Sequence, residues 1–154
     1  MTRVPTDDPA REVDTVVMAI PTTTSVAAES LFTWDERYRL GVSQMDDQHK
    51  AIIHLMNALY SMARANAPRL EQMACFDRLV QVSVDHFREE ELHMTSTKYA
   101  EVEVHTRLHK RLVERLEKIR EDARTAGFAS EDFDFLKLWL SGHILGIDMK
   151  YAKR

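Results

Sequence analysis

The chain has 154 residues, which is enough for one domain with a hydrophobic core and too few for two. Only 4 Gly and 4 Pro accompany 44% hydrophobic and 30% charged residues, and this shortage of turn-forming residues disfavours a β-sandwich or barrel and favours a few long helices. The formal net charge of −4 argues against nucleic acid or an anionic membrane surface as a partner.

Residues 1–30 are predicted to form a flexible polar leader outside the folded domain, which spans 31–154, because they hold three of the four prolines and no aromatic residue. Their one apolar run, Val16–Ile20, is too short to span a bilayer, and the acidic residues after Arg3 do not fit a secretory signal. The single cysteine, Cys75, cannot form an internal disulfide, so nothing indicates an oxidising compartment. We therefore expect a cytoplasmic protein without membrane insertion. The leader is either a docking strand or a remnant linker, and the sequence leaves both open.

Apolar residues at three- and four-residue spacing predict four amphipathic helices after residue 31. The predicted helices span about 46–66, 70–95, 101–125 and 130–151. Pro68 blocks continuation of the first, the third has Val104 on its inward stripe and Gly127 just beyond its end, and Ser130 is the expected N-cap of the fourth. Short connections between such helices predict an all-α fold, an antiparallel up-and-down four-helix bundle.

Every predicted helix carries at least one histidine. His49 lies near the start of the first helix, His86 and Glu90 are four apart on the second, and His105 and His109 are four apart on the third. Side chains four residues apart stand about 40° apart around a helix and roughly 6 Å along it, so both can reach one ion. Each such pair is therefore a candidate metal-binding pair.

The fourth helix offers a less regular pair. His143 and Asp148 are five residues apart, which an ideal helix separates by about 140°. A local π-type widening near Gly146 would bring them together, and such bulges are frequent at functional sites. Such a widening would let both side chains reach one ion.

These polar residues share the apolar stripes, so they are expected to point into the bundle. Buried carboxylates and unpaired imidazoles lose several kcal/mol of hydration unless they are paired or bind metal. Solvated helix faces could explain any one pair, but would require the same coincidence in all four helices. Five imidazoles and two carboxylates are too many for one tetrahedral zinc. Two octahedral ions bridged by the carboxylates would use them all, leave a position for an exogenous ligand, and suit iron.

In these residues and their spacing the sequence resembles bacterial hemerythrins (bacteriohemerythrins), non-haem di-iron oxygen carriers built as four-helix bundles. The similarity covers Phe32 to Tyr151, and its motifs occur in order. They are Trp34 with Gly41 and Val42, Met-Asp-Asp-Gln-His at 45–49, His-Phe-Arg-Glu-Glu-Glu at 86–91 with Met94 and Tyr99, His-Thr-Arg-Leu-His at 105–109, and Trp-Leu-Ser-Gly-His-Ile at 139–144 with Asp148 and Tyr151.

The resemblance implies two non-haem iron ions, bridged by carboxylates and by an oxo or hydroxo group. It also implies that the chain is a binding protein and not an enzyme. Such a protein binds O2 reversibly for storage or delivery, with an oxygen-consuming enzyme as a candidate recipient. O2 would bind to the iron that has two histidines, in an apolar pocket for which Leu112, Trp139, Ile144 and Ile147 are candidates. The implied metal ligands are His105, His109 and His143 for one iron, His49 and His86 for the other, and Glu90 and Asp148 as bridges.

His93 departs from the family, which usually has Leu at this position. An imidazole there could support a ligand carboxylate or relay protons, or it could be an ordinary half-buried histidine. His54, five residues beyond His49, is expected at the surface.

Two other functions stay open: an O2 or redox sensor with residues 1–30 as its transmitting arm, and a ferritin-like oxidase or peroxidase. The latter class needs two Glu-x-x-His motifs, and this chain offers only the one that ends at His93.

Overall fold

The computed structural model describes residues 29–152, so the predicted leader, apart from its last two residues, lies outside the described part. Within that part the chain is helical and has no strand, and the predicted all-α four-helix bundle is confirmed. None of these helices is both long and apolar enough to cross a membrane. The helices are α1 (Ser43–Arg64), α2 (Arg69–Ser96), α3 (Val102–Ala126), α4 (Ser130–His143) and, after a π-helical turn at Ile144–Asp148, the short α5 (Met149–Ala152).

Each reversal between long helices uses a residue with positive φ. Asn66 has φ 50°, Lys98 has φ 54° and Gly127 has φ 77°. A residue in this conformation ends a helix by turning the backbone away from the helix axis, and only glycine adopts it without steric cost. The short connections make successive helices antiparallel.

The sequence prediction misplaced the cap of α4 and one side chain of α3. Ser130 is not the N-cap of α4 but its first residue, and the cap is Ala129, whose N–H donates to the Asp132 carboxylate at 2.8 Å. Val104 does not face inward and is 49% exposed. His105 and His109 take the inward positions of α3, and Val104, which precedes His105, is turned about 100° away from it around the helix.

The segment before α1 fixes how the chain approaches the bundle. The Phe32 N–H donates to Asn57 Oδ1 at 2.9 Å, and Asn57 Nδ2 donates to the Phe32 carbonyl at 2.7 Å. The Asp46 carboxylate accepts the N–H groups of Leu40 and Gly41, at 2.7 and 3.1 Å. These bonds hold the first turn of α1, one turn before His49.

One end of the bundle is filled by aromatic rings. Tyr60 meets Phe133 edge to face with ring centroids 5.3 Å apart, and Phe128 lies 5.1 Å from Phe76 and 6.2 Å from Phe133. We call Tyr60, Phe76, Phe128 and Phe133 the aromatic end. The histidines lie toward the other end.

Candidate metal centre

Seven buried side chains from all four long helices and the π-turn converge at one place in the bundle. Their donor atoms form two groups, and within each group all of them lie within 4.8 Å of one another. Glu90 and Asp148 belong to both groups. The larger group also contains His105, His109 and His143, and the smaller one also contains His49 and His86.

The one-turn pairs arise as the sequence predicts. His86 and Glu90 occupy successive turns on the inward face of α2, and both are buried. His105 and His109 do the same on α3, with ring centroids 4.5 Å apart. Each helix therefore presents two donors at one level of the bundle.

The π-turn brings together the pair with irregular spacing. Residues Ile144–Asp148 form a π-helix, which confirms the predicted widening, and Asp148 Oδ1 lies 2.9 Å from His143 Nε2. A Cβ added at Gly146 would touch nothing within 4 Å. The extra residue in the turn, and not the space left by glycine, therefore aligns the two donors.

The larger group has the spacing of ligands around one ion. His105 Nε2 and His109 Nε2 each lie 3.2 Å from His143 Nε2. Asp148 Oδ1 lies 3.1 Å from His105 Nε2, and Glu90 Oε2 lies 3.0 Å from His109 Nε2. A six-coordinate ion with bonds of about 2.1 Å has neighbouring ligand atoms about 3 Å apart. The spacing of the five donors thus matches five positions of such a coordination shell.

The smaller group has four donors. His49 Nε2 lies 3.2 Å from Asp148 Oδ2, and His86 Nε2 lies 3.7 Å from Glu90 Oε2. The His49 and His86 rings meet edge to face, with centroids 4.5 Å apart. This group has one histidine fewer than the other.

Several of these donor atoms have no hydrogen-bond partner. Among the described residues, the buried Nε2 atoms of His49 and His86, Oε2 of Glu90 and both carboxylate oxygens of Asp148 are unpaired. Leaving such atoms dry and unpaired is costly, and a cation between them removes that cost. Imidazole and carboxylate together suit iron. The residues therefore fit a pair of bridged iron ions.

The electrostatics of the group point the same way. Burial raises the pKa of the Asp148 carboxyl, but the His105, His143 and His49 imidazoles that face it outweigh this and hold it well below the usual range. Burial and the nearby Asp148 charge likewise raise the pKa of Glu90, but its close contacts with His105 and His109 outweigh both and lower it to about 2. Both carboxylates are therefore ionised, and the site attracts positive charge.

The histidines respond in opposite ways. Burial lowers the pKa of His86 to about 4, although the Glu90 charge opposes this, so its imidazole is neutral and able to bind metal. Burial also lowers the pKa of His105, but the Asp148 and Glu90 carboxylates outweigh it and raise the pKa to about 9. A proton on His105 thus provides positive charge between the two carboxylates, as a bound cation would.

Hydrogen bonds from outside the group orient two of the rings. The His86 Nδ1–H donates to Gln48 Oε1 at 2.8 Å, and the His109 Nδ1–H donates to Glu91 Oε1 at 2.8 Å. Each bond fixes the tautomer that leaves the Nε2 lone pair facing the other donors. Gln48 and Glu91 lie within the motifs of the resemblance, but neither of them has a role predicted from the sequence. Each stands next to one donor in sequence but bonds to a donor on another helix, so no spacing within one helix reveals it.

Tyr151 is a further residue that the sequence analysis left without a role. Its hydroxyl donates to Glu90 Oε1 at 2.5 Å. Burial and the Glu90 and Asp148 charges raise its pKa above the usual range, so the hydroxyl keeps its proton and stays a donor. Tyr151 therefore holds one oxygen of Glu90 and leaves Oε2 for the metal groups.

The two remaining histidines lie outside both donor groups. His93 is half-buried, and its ring centroid lies 5.6 Å from that of Tyr151, so its described ring contact is to this residue and not to a ligand carboxylate. His54 is exposed, as predicted.

Apolar rings and side chains surround the donors. Phe87 stacks on the His109 ring with centroids 4.1 Å apart, and Trp139 meets Phe87 edge to face. Ile144 is fully buried. A groove of about 440 Å³ between α3 and α4, the α3–α4 groove, is lined by the side chains of Leu108, Leu112, Leu138, Trp139, His143 and Ile147.

Comparison with known proteins agrees with this geometry. The family model "Hemerythrin HHE cation binding domain" matches residues 40–154. The chain is 31% identical to a myohemerythrin of Riftia pachyptila over 127 residues, 82% of this chain and 96% of the relative. It is 28% identical to a bacteriohemerythrin of Stenotrophomonas maltophilia over 80% of each chain. A wild-type hemerythrin crystal structure superposes with a TM-score of 0.74 at 29% identity, covering 80% of this chain and 97% of that one.

Proposed function

The chain belongs to the hemerythrin family, and from that premise we propose that it binds O2 reversibly at two non-haem iron ions, for oxygen storage or delivery. The observation that carries the proposal is the sharing of Glu90 and Asp148 between two groups of buried donors. Two carboxylates common to both groups are what a bridged pair of ions requires.

We assign each donor to an ion by its group. His105, His109 and His143 would hold one iron, His49 and His86 would hold the other, and Glu90 and Asp148 would be shared by both. The first group offers five donors and the second offers four. The group with two histidines would therefore leave its ion more room for O2.

When bound, the iron ions supply the coordination position and the electrons for reversible O2 binding. The contribution of the protein is to keep that position dry. Phe87, Trp139 and Ile144 are buried around the donors, and their apolar side chains limit the access of water and protons. Tyr151 and Glu91 keep Glu90 and His109 in fixed orientations, so the ligands need not rearrange when O2 enters or leaves.

His93 bears on the choice between a binding protein and a ferritin-like enzyme. It completes the only Glu-x-x-His motif of the chain, yet it belongs to neither donor group. The enzymes of that class use such a histidine as a ligand. This placement favours a binding protein over an oxidase or peroxidase.

The proposal is tested by cycling the iron-loaded protein between O2 and argon. After anaerobic reduction, O2 should produce visible charge-transfer bands that disappear under argon and return with O2, in a protein with about two iron ions per chain. Irreversible bleaching, or turnover of peroxide, would show an enzyme instead.

A matched pair of variants on α1 links the bands to the site. His49→Ala removes a donor and should abolish reversible binding, whereas His54→Ala alters an exposed histidine one turn further on and should leave the bands unchanged. Equal bands in both variants would contradict the assignment of His49.

The physiological setting is a separate part of the proposal. The cytoplasmic location and an oxygen-consuming enzyme as recipient both follow from the sequence analysis and stay predictions. Cell fractionation with an antibody against this chain would test the first.

A further inference from the structure

The α3–α4 groove is an exposed apolar surface next to the metal site. Leu138, on its wall, is 71% exposed. Phe135 also lines it, while Trp139 and His143 connect it to the interior. An exposed apolar groove of this kind is typical of a surface that another segment covers.

Two arginines give the groove a charge. Arg111 and Arg115 lie one turn apart on α3, line the groove and are exposed. Neither forms an ion pair with a residue in the range 29–152, and the Arg115 guanidinium lies 5.2 Å from the centroid of the Phe135 ring. The groove therefore suits an occupant that is apolar in one part and acidic in another.

A segment of this chain outside the described residues has that composition. Glu12 and Asp14 are followed by Val16, Met18 and Ile20, and no basic residue lies between positions 12 and 20. Alternate residues of an extended strand share one face, so a strand here would present two acids and then three apolar side chains on the same side. The two acids would lie about 6.6 Å apart, close to the roughly 6 Å rise between Arg111 and Arg115.

The chain outside the described part is long enough to reach the groove. Glu29 is paired with Arg64 at 2.5 Å, and Leu31 lies beside Tyr60 and Phe133, near the start of α4. The stretch from position 20 to position 29 spans up to about 30 Å when extended. The 14 residues of α4 span only about 21 Å. Residues 12–20 can therefore lie anywhere along the groove.

We propose that residues 12–20 dock into the α3–α4 groove of the same chain, with Glu12 and Asp14 paired to Arg111 and Arg115 and with Val16, Met18 and Ile20 on the apolar wall. The leader is then a docking strand and not a remnant linker. This inference concerns the surface of the bundle and does not depend on O2 binding.

The test uses the full-length, iron-loaded protein with p-benzoylphenylalanine in place of Met18. Illumination crosslinks this residue to its neighbours, and peptide mass spectrometry locates the crosslinks. An equal mixture of ¹⁵N-labelled and unlabelled chains separates crosslinks within one chain from those between two. We expect crosslinks within one chain, to peptides containing residues 108–115 or 135–147.

Charge variants test the specificity of docking. Arg111→Glu with Arg115→Glu should lower the crosslink yield about five-fold, as expected for the loss of two exposed ion pairs. Adding Glu12→Arg and Asp14→Arg to that protein should restore the yield. Arg107→Glu with Lys110→Glu makes the same charge change on exposed residues of α3 that do not line the groove, and should have no effect. Circular dichroism checks that each variant is folded.

Three results would overturn the proposal. Crosslinks mainly between labelled and unlabelled chains would show that a second copy occupies the groove. Crosslinks to other surfaces would show that the leader docks elsewhere or acts as a linker. A yield that does not change when Arg111 and Arg115 are reversed would exclude the proposed pairing.

Discussion

The two ends of the bundle bury different chemistry on the same helix stripes. On α2 the buried positions run from Phe76 through Leu79 and Ser83 to His86 and Glu90, with helical spacing throughout. Only the residue type changes along the stripe. The aromatic end is stabilised by packing between its own side chains. The opposite end, which we call the metal end, holds the seven candidate metal ligands and contains buried donor atoms without hydrogen-bond partners. We infer that the stability of the first end is intrinsic and that of the second depends on metal.

The largest effect is expected from Asp148→Ala at the metal end. The change removes a donor that both groups share, so the variant should retain less than about a tenth of the iron that the wild type binds. Iron per chain after desalting, measured by plasma mass spectrometry, checks this. Asp134→Ala, an exposed change on α4, is the control and should keep the full iron content. A variant at position 148 that retains both irons would refute the bridging role.

At the aromatic end, Phe76→Ala should destabilise the protein by about 3–5 kcal/mol, the usual cost of emptying a buried aromatic site. The loss should be the same with and without metal, because this ring lies away from the donors. Urea unfolding of the loaded and the metal-free protein measures it, with the exposed Leu70→Ala as the matched control. If the variant lost stability only when iron is bound, the two ends would not be independent.

A smaller effect is expected from Glu91→Gln, which keeps a hydrogen-bond acceptor for His109 but removes its charge. Iron affinity should fall about ten-fold, as is typical for residues that orient a metal ligand. Competition with a chelator of known affinity measures the change. Glu103→Gln removes an equal charge from an exposed position of α3, and an equal loss there would show a general charge effect instead.

The smallest effect is expected from His93→Leu. The side chain contacts Tyr151 and belongs to neither donor group, so iron content should not change. We expect autoxidation of the reduced, oxygenated protein to slow, because the change removes a proton-carrying imidazole beside Tyr151, whose hydroxyl donates to Glu90. Loss of the visible bands with time gives the rate. An unchanged rate would reject any role for this histidine beyond packing.

Most of the helix pattern could be predicted from the sequence because each helix buries a regular stripe. The ends were less predictable. The first helix begins at Ser43, three residues before its predicted start, because the Asp46 carboxylate binds the N–H groups of the preceding turn and stabilises it. The misplaced cap at Ser130 has a similar origin, since Asp132 and not the serine side chain holds the start of α4.

The sequence by itself determined which residues lie on inward stripes, and therefore that five histidines and two carboxylates had to share the interior of a helical bundle. Spacing along one helix is a local property, and it even predicted the π-turn between His143 and Asp148. Only the tertiary structure decided which donors meet across helices, that Gln48 serves His86 and Glu91 serves His109, and that an apolar groove stays open between α3 and α4. Those contacts depend on the relative rotation and level of separate helices, which no pattern within a single helix contains.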